Sequence, residues 1–95
     1  MTKQWPFEGA PDTTTITTVN VLAGHPILLV THDADDGMWQ CLCGTTDASE
    51  DARVVALSEL YERDPSIGEL ADLPLGWRAW RADLGATWQR SEVDA

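Results

Sequence analysis

The stretch Asp64 to Trp80, DPSIGELADLPLGWRAW, constrains the fold most, because it carries its own start, apolar face and stop. Asp64 is suited to cap a helix, and Pro65 to its first position, where a missing N–H is no loss. Ser66 and Glu69 offer a capping box one register later. Ile67, Leu70 and Leu73 recur at helical spacing and make one apolar face. Leu73-Pro74-Leu75-Gly76 then ends the helix, since Pro cannot continue it and Gly tolerates the backbone of a stop. A helix with a single apolar stripe must lay it on another element, so the rest of the chain has to supply that surface.

The rest of the chain reads mainly as short strands. Thr15 to Leu22, TITTVNVL, is rich in β-branched residues and is expected to be a strand. Ala23-Gly24-His25-Pro26 is a turn, and Ile27 to His32, ILLVTH, is a continuous apolar run of the kind found in buried strands. Asp36-Gly37 then sits between this run and Met38 to Cys43, MWQCLC, which is a strong hairpin signal because Gly accepts positive φ. On the returning strand Met38, Gln40 and Leu42 share one face, and Trp39, Cys41 and Cys43 share the other. Arg53 to Leu57 is expected to be a short strand, followed by a helix over Ser58 to Arg63 capped by Ser58. Trp77 to Ala82 fits either helical or strand spacing. With a turn at Asp83-Leu84-Gly85 and an extended pattern from Thr87 to Arg90, it reads as a terminal hairpin.

Strands, then short helices, then strands predict an α+β fold. We expect a compact single domain with a mostly antiparallel sheet of about four to six short strands and two short helices inserted. The domain spans residues 16–90, after an extended N-terminal arm over residues 1–15 that Trp5 and Phe7 pin down. Residues 91–95 are expected to be a frayed tail. A chain of 95 residues has room for one domain only.

The formal net charge is −10, from 6 Lys+Arg against 16 Asp+Glu, which opposes binding to nucleic acid or to an anionic membrane. No apolar run approaches the length of a membrane span, and the opening MTKQWPFEGAPD lacks the apolar core of a secretory signal. A cytoplasmic protein with free thiols at Cys41 and Cys43 is expected.

Several constellations invite a chemical reading. Cys41 and Cys43, with His25 or His32, suggest zinc, but structural zinc wants four ligands with the Cys pair on a knuckle turn, whereas this pair lies within a strand. The acidic run after His32 suggests calcium, but counting from Asp33 places Met38 where the calcium loop needs Gly. His32, oriented by Asp33 or Asp35, is a general-base candidate without a nucleophile pattern to serve. No catalytic residue, metal or cofactor is assigned, and the chain is not expected to be an enzyme. Arg78 and Arg81 beside Trp77 and Trp80 suit a protein interface better than a nucleic-acid patch, given the charge.

The runs Asp36-Gly37-Met38-Trp39-Gln40-Cys41-Leu42-Cys43-Gly44, Asp64-Pro65-Ser66-Ile67 and Leu73-Pro74-Leu75-Gly76-Trp77-Arg78-Ala79-Trp80-Arg81, with Leu57 between them, make a recognisable frame. It resembles the Immunity protein 33 family of small bacterial proteins, once grouped as a domain of unknown function and later proposed to contain immunity proteins of polymorphic toxin systems. The resemblance covers about Leu28 to Arg90. This chain departs from the family in Met38 between Gly37 and Trp39, and in the Cys residues of that strand. The resemblance implies a module that neutralises a toxin by binding it, with no catalytic residue or cofactor.

A basic toxin domain would meet the acidic loops, since many toxin active sites are basic and complementary charge speeds encounter. The expected contact residues are Asp33, Asp35, Asp36, Asp47, Glu50 and Asp51, with Arg78 and Trp80 beside them. A regulatory domain that forms a homodimer through an exposed strand edge is the alternative.

Overall fold

A computed structural model describes residues 5–7, 10–44 and 49–93. The Thr-rich run forms β1 (Thr14–Thr18), but the strand stops four residues short of the expected Leu22. The Thr18 hydroxyl accepts the Val21 N–H at 3.3 Å and caps a single helical turn, α1 (Val19–Leu22). β propensity thus gives way to a local side-chain cap. The next strands, β2 (Leu29–His32) and β3 (Trp39–Leu42), form the expected hairpin, with Gly37 at φ +73° in its turn.

β4 (Ala52–Ala56) runs directly into α2 (Leu57–Arg63). The helix starts one residue before the expected Ser58, and its N-cap, Ala56, makes no side-chain hydrogen bond. The arm replaces the missing cap, because the Leu57 N–H donates to Thr13 O and the Ser58 N–H to Pro11 O, both at 2.9 Å. Two donors that an α-helix leaves orphaned are satisfied from outside the helix.

Asp64 caps the next element as expected, accepting the Ser66 N–H at 3.1 Å. That element, Pro65–Leu70, is a 3-10 helix rather than an α-helix. Ile67, Leu70 and Leu73 all point into the core, a spacing the tighter helix also serves. Trp77 to Ala82 resolves as β5 (Trp77–Trp80), which pairs with β6 (Gln89–Glu92) in the expected terminal hairpin. β6 includes Ser91 and Glu92, expected in the frayed tail, and β1 begins two residues before Ile16, inside the expected arm.

The molecule is a single α+β domain with a six-stranded sheet in the order β4-β1-β3-β2-β5-β6. Every pairing is antiparallel except β1 with β3, so the sheet is mixed. Cross-strand registers fix its two faces. Val30 pairs with Cys41 and with Ala79, and all three are buried with Leu57, Leu60, Ile67, Leu70 and Val21 from the helical segments. The helices therefore lie on one face. Phe7 joins the same core, with ring centroids 5.4 Å from Trp39 and 5.3 Å from Trp5, so the arm packs over the helical layer.

Candidate protein-binding surface

Side chains alternate along a strand, so the opposite face carries Leu29 and Thr31 of β2, Gln40 and Leu42 of β3, Arg78 and Trp80 of β5, Ile16 of β1 and Val54 of β4. No described helix covers it. Leu29 is paired with both Leu42 and Trp80, which sets three apolar side chains side by side across the sheet. Trp80 remains 38% exposed, a large ring left open to solvent. The Arg78 guanidinium carbon lies 5.5 Å from the Trp80 ring centroid, which holds the arginine flat along this face.

A groove of about 430 Å³ runs along the same face toward the β2–β3 turn. Leu29, Thr31, Gln40 and Arg78 line it, with Trp77 beside them and Asp33 and Asp35 at its end. The structure thus brings together Asp33, Asp35 and Arg78 from the expected contact set, with Trp80 adjoining. Asp33 is partly committed, because its Oδ2 accepts from Gln40 Nε2 at 2.7 Å. Asp36 Oδ1 accepts the Met38 N–H at 2.9 Å and shapes the turn. Asp35 is exposed. None of these three carboxylates is in an ion pair with another described residue, unlike Glu59, Asp64 and Asp72, which pair with Arg63, Arg81 and Arg90.

Glu50 and Asp51 sit elsewhere. They precede Ala52, which is paired with Thr18, whereas the hairpin turn precedes Trp39, which is paired with Thr15. The two acidic segments therefore occupy opposite ends of the sheet, and they do not form one patch. Asp47 lies outside the described residues. Leu29, Thr31 and Gln40 were not among the expected contacts. The alternation of MWQCLC had set Gln40 and Leu42 apart from the Trp39 face, but nothing local showed that this face would stay uncovered.

No protein-family model, curated protein or solved structure matches the chain.

The remaining chemical candidates have structural partners. His32 Nδ1 lies 2.7 Å from the Leu73 carbonyl, which can only accept, so Nδ1 carries the proton. Its ring stacks on Trp39 at 3.9 Å with a 10° interplanar angle. His25 is exposed in the turn after α1, while Cys41 and Cys43 are buried, so the four suggested zinc ligands do not converge. Burial, followed by the negative charge of Asp64, pushes the Cys41 thiol up to about 12. Such a thiol is a poor nucleophile.

A larger cleft, about 680 Å³, opens beside Arg81. Its polar wall is already bonded to itself. The Arg81 guanidinium donates to Asp64 Oδ2 at 2.6 Å, to Ser66 Oγ at 2.9 Å and twice to the Ile27 carbonyl. Ser66 Oγ in turn donates to Asp64 Oδ1 at 2.6 Å. The Asp-Pro-Ser-Ile run is thus a structural device that caps a 3-10 helix and anchors a buried arginine. No described helix is long and apolar enough to cross a membrane.

Proposed function

We propose that this protein is a non-catalytic protein-binding module of the immunity type, which neutralises a basic toxin domain by covering it. The observation that carries the reading is the uncovered sheet face, with Trp80 exposed and Arg78 stacked on it beside a groove that ends at Asp33 and Asp35. A Trp and an Arg on a solvent-facing sheet are the residue types that most often dominate interface energetics. The net charge of −10 and the hairpin carboxylates, whose charge no described cation neutralises, favour a partner of opposite sign. The resemblance of the hairpin, Asp-Pro-Ser-Ile and Pro-x-Gly-aromatic segments to the Immunity protein 33 family points the same way.

Affinity isolation of the tagged protein from its native cells tests this. The reading expects one stoichiometric basic protein that is released at high salt and lost from the Trp80→Ala and Arg78→Ala variants. A partner retained by both variants would remove the sheet face from the proposal, and recovery of the protein without any partner would overturn the function.

A further inference from the structure

The two edges of the sheet are built differently. At β6 every exposed side chain is polar or charged: Gln89, Arg90 and Glu92, with Arg90 held by Asp72 Oδ1 and the Glu69 carbonyl at 2.7 Å each. Charge along an edge discourages further strand pairing. At β4 the sequence is Ala52-Arg53-Val54-Val55-Ala56, where exposed Arg53 is the one charge and bends back onto the Glu50 and Ala52 carbonyls, and Val54 is 69% exposed.

The ladder shows which backbone groups of β4 face outward. The Leu57 N–H donates to Thr13 O, and antiparallel hydrogen-bonded pairs alternate, so Val55 and Arg53 direct their backbone groups inward to Thr15 and Thr17. Ala52, Val54 and Ala56 therefore direct theirs outward. The Ala52 carbonyl is engaged by Arg53 Nη1 at 2.7 Å, which also donates to Glu50 O at 3.0 Å. Val54 offers both an N–H and a C=O at the centre of the edge.

We infer that β4 is a self-association edge, where a second copy of this chain adds its own β4 antiparallel about a two-fold axis at Val54. In that register Val54 meets Val54 and exchanges two N–H···O bonds, Arg53 meets Val55, and Ala52 meets Ala56 once the Arg53 guanidinium, which holds the Ala52 carbonyl, swings aside. The paired residues Ala52–Ala56 include no acid, so no carboxylate faces another across the ladder, which matters for two molecules of charge −10 each. The outcome is a continuous twelve-stranded sheet with both uncovered faces on one side. A five-residue strand pair buries less than the ~1,000 Å² of a stable interface, so the dimer is a concentration-dependent one.

The inference does not depend on the proposed toxin partner, because β4 and β5 are four strand spacings apart, about 19 Å. The two also respond oppositely to salt. Screening weakens attraction to a basic partner but relieves repulsion between two acidic copies.

Sedimentation velocity of the whole chain from about 10 µM to 1 mM, at low and high salt, tests the edge. The expected result is a monomer that shifts toward dimer with concentration, more so at high salt, and a Val54→Lys variant that stays monomeric with unchanged thermal unfolding. Amide exchange supplies a second reading. The Val54 N–H gains protection with concentration, while the Val55 N–H, bonded to β1, is protected throughout. A wild-type chain that stays monomeric across the range, or a Val54→Lys variant that dimerises equally, overturns the assignment.

Discussion

Arg81 is 5% exposed, and its guanidinium lies 4.1 Å from the Trp88 ring centroid while donating to Ile27, Ser66 and Asp64. Removing one partner of such a buried pair strands the other charge. Arg81→Ala is therefore expected to destabilise the fold by about 3–5 kcal/mol in urea denaturation. Arg81→Lys should recover little of this, because an ammonium cannot reproduce the planar fork. Cys41 gives a pH prediction. Its folded pKa of about 12 lies above the ordinary 9.0, so the unfolded chain releases this proton first as pH rises. The contribution is fully present below about pH 9 and is lost between there and about 12, at roughly 1.4 kcal/mol per pH unit. Comparing the alkaline slope of urea stability for wild type and Cys41→Ala isolates the effect; equal slopes would refute it.

At the scale of elements, the arm and the helical layer stabilise each other. Pro11 and Thr13 carbonyls cap α2, and Trp5 and Phe7 pack on Tyr61, with ring centroids 5.6 Å and 6.2 Å away. Gly68 leaves space for this arrangement. A Cβ there would lie 2.9 Å from Tyr61 Cε1 and 3.2 Å from Pro6 Cγ. Gly68→Ala is expected to push Tyr61 and the arm apart and to cost about 1–3 kcal/mol, the usual range for overpacking. The Leu57 and Ser58 amides, which depend on the arm, should then exchange faster than the rest of α2. Unchanged exchange at both would show that the arm tolerates the methyl. The pinning role of Trp5 and Phe7 was legible because they are the arm's only aromatic residues. The arm's capping role was not, since backbone carbonyls carry no sequence signature.

For the whole molecule, charge and the uncovered face are expected to act on different kinetic steps of the proposed partner binding. Asp35→Asn with Asp36→Asn changes the net charge from −10 to −8. The pair should slow association with the proposed basic partner and steepen nothing in dissociation, since exposed charges act mainly on encounter. Trp80→Ala should instead speed dissociation, by an amount equivalent to about 2 kcal/mol if the ring is a central contact. Surface plasmon resonance on the captured partner separates the two rates, and a Trp80→Ala effect confined to association would contradict a central contact.

Short-range signals were sufficient for much of this molecule. Asp36-Gly37 specified a hairpin, Asp64-Pro65 a cap and start, and the alternation of Trp39, Gln40, Cys41 and Leu42 a buried and an open face, because φ, caps and strand periodicity act within a few residues. The same locality explains the misses. Thr18 ended its strand by hydrogen-bonding three residues ahead, and a 3-10 helix presents Ile67 and Leu70 as readily as an α-helix would. The insertion of β3 between β1 and β2, the Arg81–Asp64 pair and the placement of the two acidic segments at opposite ends of the sheet came only with the tertiary structure. Loop-closure cost rises slowly with length, so a sequence weakly distinguishes one distant partner from another. Which strand order wins depends on how all the apolar faces pack at once, and that packing exists only in the folded chain.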